Sequence, residues 1–240
     1  MSAYTAQTRV ELTLTARRGE SLLLTIGIPV LLLLFFSVVD VLPTGTDDPV
    51  DFLAPGILAL AVMSTAMVGL GIATGFERQY GVLKRLGSTP LGRPALLAAK
   101  TTGVVIVEVV QFALIVVIAV LLGWRSGSGW PVAIVAVVLG TIAFAGIGLA
   151  LAGTLRGEVN LAAANGLYLV LLLLGGMVIP IDELPTGLQV VARALPSGAL
   201  SDALHGALTA GASVPARAWI VLVVWAVVAP IVAAVTFRWE

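Results

Sequence analysis

Six long apolar stretches constrain this chain more than any other feature of its sequence. They cover residues 21–39, 54–76, 101–122, 131–155, 161–180 and 218–237. Each has about the 20 residues that a helix needs to cross the hydrocarbon core of a bilayer. The stretches are apolar on every face, whereas the strands of a membrane barrel alternate in segments of about 10 residues. We therefore predict an all-α membrane protein with six transmembrane helices.

The composition excludes several classes of protein. Hydrophobic residues make up 59% of the 240 and charged residues 11%, whereas a soluble domain carries about 25% charged residues. Too little polar surface remains for a soluble enzyme or a disordered protein. The 13 basic residues are balanced by 13 acidic ones, so they form no basic stripe of the kind that binds nucleic acid. With no cysteine and one histidine, we expect no disulfide and no metal site.

Basic residues set the orientation of such a chain, because cytoplasmic loops are rich in Lys and Arg. With the N-terminus in the cytoplasm, ten basic residues lie inside and three outside. The inside set is Arg9, Arg17, Arg18, Arg78, Lys84, Arg85, Arg93, Lys100, Arg156 and Arg238, and the outside set is Arg125, Arg193 and Arg217. The count predicts that both termini are cytoplasmic.

No repeat or linker divides the chain, so we expect one membrane domain over residues 1–240. The first 20 residues mix Val10 and Leu14 with Arg17 and Arg18, which predicts an interfacial amphipathic helix before the first span. The stretch at 21–39 does not match a cleavable signal peptide, because its apolar core is too long and no small-x-small site follows it.

The inner loop after the second span, GFERQYGVLKRLGSTPLGRP at residues 75–94, is basic and amphipathic. It predicts a short helix that lies along the membrane and that Pro90 ends, since proline cannot continue a helix. One side would hold Leu83 and Leu86 against the bilayer or the span ends. The residues expected to point toward the cytosol are Glu77, Arg78, Lys84 and Arg85. The pattern alone equally suits an ordinary positively charged inner loop.

This loop resembles the coupling segment in the membrane subunits, or permeases, of ABC-2 type ABC transporters, and the drug-exporter branch in particular. The family pattern is close to E-R-x-x-G-x-L-x-x-L-x-x-T-P. The matching residues are Glu77, Arg78, Gly81, Leu83, Leu86, Thr89 and Pro90, with Lys84 and Arg85 between them. Many members have an acid where this chain has Gln79. The resemblance implies a coupling helix at about 77–90 that sits in a cleft of a separate ATPase subunit.

A second segment supports the resemblance. After the fifth span the family shows a small-residue turn, a proline, an acidic-Leu-Pro step, a short helix and another Leu-Pro. The matching residues here are Pro180, Leu184, Pro185, Leu195 and Pro196. The resemblance implies a broken, re-entrant helical hairpin at the outer face, over about 181–216. Irregular backbone at membrane depth is tolerated only where protein or a watery cavity covers it.

The resemblance also implies a function. The chain has no G-x-x-x-x-G-K-[ST] phosphate loop, so we expect no enzyme activity and no cofactor in this chain, with ATP and Mg²⁺ bound by the partner ATPase. Two permeases, identical or related, would pair in a bacterial inner membrane with two ATPase subunits, and nucleic acid is not a partner. The path between the permeases, expected to lack fixed charges, suits export of a hydrophobic or amphipathic drug, lipid or lipid-linked molecule, as in multidrug resistance.

Glu108 leaves alternatives open, because a buried carboxylate in a span costs several kcal/mol unless it is paired or hydrated. It is either a proton- or cation-binding acid on the path, or a structural acid with Gln111 nearby on the same face. The first reading supports a rival function, a proton-driven secondary carrier. A non-transporting membrane subunit is a second rival. Gly71 and Gly75 form a small-residue step that suits an interface between spans or between permeases, or that arises by chance.

Overall fold

The computed structural model describes residues 3–17, 19–39, 48–87 and 93–238. Within these ranges the chain forms helices, turns and short connections, and no strand. The prediction of an all-α protein is therefore confirmed. The helices are α1 Ala3–Arg17, α2 Gly19–Val38, α3 Pro49–Val62, α4 Leu70–Gln79, α5 Val82–Gly87, α6 Arg93–Leu121, α7 Trp130–Thr154, α8 Gly157–Leu174, α9 Thr186–Ala194, α10 Pro196–Leu208 and α11 Ala216–Thr236.

Among the described residues, five helical segments are long and apolar enough to cross a membrane. They are Pro49–Gln79, Ala98–Leu121, Trp130–Thr154, Gly157–Leu174 and Ala216–Thr236. The remaining predicted span, 21–39, lies in α2, where Thr25–Val38 forms a shorter apolar helix. The fifth span ends six residues earlier than the predicted 180, because Gly175 and Gly176 follow Leu174 and Gly176 adopts a positive φ of 64° that favours glycine.

The segment Pro49–Gln79 is the central helix of the fold. A π-helical segment, Met63–Gly69, joins α3 to α4 without a break. Nearly all of α3 is buried, and α2, α6, α7 and α10 pack around it. Other helices cover most faces of the central helix, so it can connect the two ends of the molecule.

Small residues let the central helix approach α7 closely. A Cβ on Gly71 would lie 3.0 Å from the carbonyl oxygen of Gly148, and a Cβ on Gly148 would lie 2.5 Å from that of Met67. At this crossing the two backbones are in contact, which is the role of glycine where membrane helices pack. Gly71 therefore belongs to an interface between spans, which is one of the roles predicted for the step of Gly71 and Gly75.

The N-terminal helix α1 packs against α6. Tyr4 Oη lies 2.7 Å from Thr102 Oγ1, and Lys100 Nζ lies 3.1 Å from Glu11 Oε1. These contacts fix α1 to the first turns of α6; that α1 lies at the membrane interface stays a prediction.

Candidate functional site

The C-terminal end of the central helix turns sharply into α5. Helix α4 ends at Gln79, and Gly81 follows with a φ of 69°, a left-handed conformation typical of a helix C-terminus. The predicted single helix over 77–90 is therefore wrong. Residues 77–79 continue the span, and α5 is a separate helix over Val82–Gly87. Thr89 and Pro90, the last residues of the predicted segment, lie outside the described residues.

Helix α5 is amphipathic, as its sequence predicts. Leu83 is buried against Leu96, and Leu86 and Phe237 pack at the edge of the same cluster. Lys84 and Arg85 are exposed on the opposite side. Leu83 and Leu86 thus hold α5 against the ends of neighbouring spans, and the basic side faces away from them.

Glu77 and Arg78 bond neighbouring helices, whereas the sequence predicted that both would point toward the cytosol. Glu77 is 8% exposed, and its Oε2 lies 2.5 Å from Lys100 Nζ, which also pairs with Glu11. Burying three charges is costly unless they are paired in good geometry. This buried cluster of Glu11, Lys100 and Glu77 ties α1, α6 and α4 together at one level of the fold.

Arg78 binds the C-terminal end of α7. Its Nη1 donates to the carbonyl oxygen of Gly153 at 2.6 Å, and its Nη2 donates to that of Leu155 at 2.5 Å. The last carbonyls of a helix have no partner within it, and the helix dipole favours a cation there. Hydrogen bonds to a charged group contribute about 1.5–3 kcal/mol. Arg78 therefore fixes the inner end of the central helix to the end of α7.

Gln79 extends this attachment to the start of α8. Its Oε1 accepts a hydrogen bond from the Gly157 backbone N–H at 2.7 Å, and its Nε2 donates to Glu158 Oε1 at 3.1 Å. One turn of α4 thus holds both ends of the tight α7–α8 connection. We call Arg78 and Gln79 the inner latch, because they precede the loop that the sequence predicts on the inner side. An amide suits this position because it donates to Glu158, whereas an acid would bring two carboxylates together.

A cavity of about 710 Å³ lies beside the central helix. Side chains from α2, the π segment, α4, α6 and α8 line it, and its walls are mostly apolar, with Ile28, Val68 and Val104 among them. Its volume is within the range of about 300–1,000 Å³ that small-molecule sites occupy. The cavity can therefore hold an organic molecule of drug size.

The cavity is not free of charge. Glu11 and Lys100 line it, together with the aromatic side chain of Tyr80. Ser64 and Thr65 of the π segment add hydroxyl groups. The lining therefore combines apolar walls with an ion pair, an arrangement that suits a molecule with one polar and one apolar part.

Glu108 lies away from this cavity and bonds α7. The Thr141 hydroxyl donates to Glu108 Oε2 at 2.8 Å, and Glu108 Oε1 has no hydrogen-bond partner among the described residues. Gln111, predicted on the same face, has other partners. Its Oε1 accepts from the Thr65 hydroxyl and its Nε2 donates to the Thr25 carbonyl, both at 2.8 Å.

The proline-rich outer segment is a chain of short helices, and the five predicted residues lie at their ends. Pro180 precedes the 3₁₀ turn Ile181–Glu183, Leu184 follows it, and Pro185 precedes α9. Leu195 and Pro196 form the step from α9 into α10. Pro196 occupies the first helical position of α10, where its missing N–H has no cost.

Helix α10 is tied to the turn after α8 and to the central helix. Ser201 Oγ donates to the carbonyl oxygen of Gly176 at 2.7 Å, and His205 Nε2 lies 2.9 Å from that of Phe52. His205 therefore bridges α10 and α3. The outer segment covers the first part of the central helix.

The sequence alone did not reveal the partners of the inner latch or of Lys100. Lys100 was visible only as a basic residue before a span, and Glu11 only as part of the N-terminal helix. Their contacts join positions far apart in the chain, and single residues carry no signal of such contacts. No glycine or proline separates Phe76 from Arg78, which could have indicated that the helix of the second span continues through Arg78.

Two comparisons with known proteins agree with the resemblance. The family model described as "ABC-2 type transporter" matches residues 3–209. A relative from Bacillus subtilis (strain 168), described as "Putative transport permease YvfS", is 24% identical over 202 residues, which cover 82% of each chain.

Proposed function

The chain belongs to the ABC-2 type transporter family, and from this premise we propose that it is the permease subunit of an ATP-driven exporter. A separate ATPase subunit binds ATP and Mg²⁺ and receives α5 in a cleft. The observation that supports this most is the amphipathic α5, because Leu83 anchors it to the spans while Lys84 and Arg85 remain exposed. The inner latch and the buried cluster then connect α5 to the central helix.

We propose that two permeases, identical or related, pair in a bacterial inner membrane with both termini in the cytoplasm. The excess of basic residues in the inner loops supports this orientation. The segment 181–216 is then the re-entrant region at the outer face, and the cavity is part of the translocation path.

The transported molecule in this proposal is amphipathic rather than purely apolar. The ion pair of Glu11 and Lys100 gives the cavity a polar part, and Ile28, Val68 and Val104 give it apolar walls. A drug-like or lipid-like molecule with a polar group matches both.

The geometry of Glu108 favours a structural role over a proton-driven carrier. Its carboxyl group joins α6 to α7 through Thr141 and is not part of the cavity lining. A proton carrier would require an acid that meets the transport path.

The test is ATP hydrolysis in proteoliposomes that contain the permease and the ATPase encoded beside it in the genome. We compare the native protein with Lys84→Ala plus Arg85→Ala. The matched control is Arg193→Ala plus Arg217→Ala, which removes two partly exposed charges from the outer segment and the start of α11. We expect the inner pair to weaken permease-dependent stimulation about tenfold, as a loss of about 1.4 kcal/mol of coupling would, and the control to leave it unchanged.

The same proteoliposomes also distinguish the proposed exporter from a non-transporting membrane subunit. A native permease that leaves the ATPase rate unchanged would contradict the proposed function. A permease that binds the ATPase and changes its rate, but moves no amphipathic dye across the liposome membrane, would instead support a non-transporting subunit.

A further inference from the structure

The π segment in the middle of the central helix is the least regular part of that helix. Over Met63–Gly69 the helix is wider than an α-helix, and the Leu70 N–H reaches the Thr65 carbonyl five residues back. Such segments are rare and occur often at functional sites. A π segment is an α-helix that contains an extra residue in its turn, so it can change geometry without unfolding.

Neighbouring helices hold the π segment in its wide form from two sides. On one side, Gly148 of α7 leaves room for the carbonyl oxygens of Ala66 and Met67, from which a Cβ would be only 3.2 and 2.5 Å away. On the other side, Thr65 donates to Gln111, which in turn bonds the Thr25 carbonyl of α2. The wide turn is thus packed between α7 and the pair α2 and α6.

The π segment lines the upper part of a cavity that continues along α4 to Phe76 and Tyr80, beside the inner latch. Ser64, Thr65 and Val68 form part of the cavity wall. Helix α4 follows directly and carries Arg78 and Gln79 at its end. A change of geometry in the π segment therefore changes the cavity wall and the position of the latch together.

We propose that the π segment is a conformational switch between π and α geometry that links the shape of the cavity to the position of the inner latch. This inference rests on the proposed function. Each residue of an α-helix turns the chain by about 100°, so moving the extra residue out of the turn rotates α4 relative to α3. At a Cα radius of about 2.3 Å, that rotation shifts backbone atoms at the latch by about 3.5 Å.

The first test variant deletes Ala66. Removing one residue from the π segment leaves a regular α-helix and keeps the registers of α3 and α4. A cysteine at Val82 on α5 and another at Arg156 in the α7–α8 connection carry spin labels, since the chain has no native cysteine. The distance between them is measured in the complex with the ATPase, without nucleotide and with ADP-vanadate bound.

We expect the native complex to change this distance by about 3.5 Å or more when nucleotide is trapped, and the deletion variant to show less than half of that change. Full change in a deletion variant that still binds the ATPase would overturn the inference. Failure of the native permease to bind the ATPase would instead overturn the proposed function, and the inference with it.

A second pair of variants applies if the deletion variant does not assemble. Thr65→Val removes the hydrogen bond to Gln111, and Thr141→Val removes the one to Glu108. Both changes delete one buried hydroxyl between helices, but only Thr65 lies in the π segment. Thr65→Val is expected to move the nucleotide-free distance toward the trapped value, and Thr141→Val to leave it native. Identical behaviour of the two variants would overturn the inference.

Discussion

At the scale of single residues, the inner latch shows how two neighbouring side chains can hold two helix ends. Arg78 satisfies carbonyls at the end of α7, and Gln79 satisfies the first N–H of α8. Both groups lack partners within their own helices. Gln79 replaces the acid that many family members have at this position. Its amide donates a hydrogen bond to the Glu158 carboxylate.

Gln79→Glu is therefore expected to destabilise the protein, because it places a second carboxylate beside Glu158. Two like charges about 4 Å apart near a surface repel by about 1 kcal/mol or more. Adding Glu158→Gln restores an amide donor and is expected to recover most of the loss. The loss and its recovery are measured as thermal unfolding midpoints, in detergent, of the native protein, the two single variants and the double variant. Strictly additive effects of the two substitutions would contradict the proposed pairing.

His205 is expected to make the folded protein sensitive to acid. Burial lowers the pKa of His205 below its usual value. The carbonyls of Ser201 and Phe52 and the nearby Asp202 act in the opposite direction, but their effect is smaller. The unfolded chain then binds this proton more readily than the folded one, so stability falls as the pH drops below about 6.5.

The measurement is the unfolding midpoint of native protein and of His205→Gln at pH 7.5 and 5.5. The native protein is expected to lose more stability than the variant between these two values. Comparing the two proteins cancels the carboxyl groups that also titrate there, and His205 is the only histidine of the chain. An equal loss in both proteins would show that His205 takes up its proton equally in both states.

At the scale of elements, the crossing of the central helix with α7 depends on the absence of side chains. Gly71→Ala is expected to force the two backbones apart, because the new Cβ would meet backbone atoms of Gly148 at 3.0–3.3 Å. Overpacking of this kind costs about 1–3 kcal/mol. Gly166→Ala is the matched control, since nothing lies within 4 Å of a Cβ there.

This prediction is tested by the thermal unfolding midpoints of the two variants. Gly166→Ala is expected to be neutral or slightly stabilising, because alanine favours the helical state over glycine. If Gly71→Ala proved as stable as Gly166→Ala, the close approach of α4 and α7 would be refuted.

Five of the six predicted spans coincide with described helices that are long and apolar enough to cross a membrane, because lipid leaves an exposed backbone few options besides a helix of sufficient length. The turn at Gly175 and Gly176 and the prolines before α9 and α10 are local signals of helix ends. The extension of the central helix through Arg78 was missed, because polarity marked the edge of the apolar stretch and not the end of the helix.

The candidate site was predicted only in part. The two faces of α5 follow from the spacing of Leu83 and Leu86. The partners of Glu77 and Arg78 depend on tertiary contacts with Lys100 and the end of α7. Likewise, no residue type in Met63–Gly69 distinguishes a π segment from an α-helix, since packing against Gly148 and Gln111 supports its width.

At the scale of the whole molecule, one helix joins all the parts that matter for the proposed function. The outer segment contacts its beginning through His205 and Phe52, and the cavity lies beside its middle. Its inner end carries the latch and leads into α5. A protein built in this way is suited to pass movement between an ATPase at α5 and a molecule in the cavity.

The most direct test of this account is a photo-crosslinking measurement with the ATPase in membranes. The crosslinking amino acid replaces Val82 on α5 or, as the control, Leu188 on α9; these side chains are 37% and 42% exposed. The account predicts a covalent product with the ATPase at Val82 and none at Leu188. No product at Val82, or equal products at both positions, would contradict it.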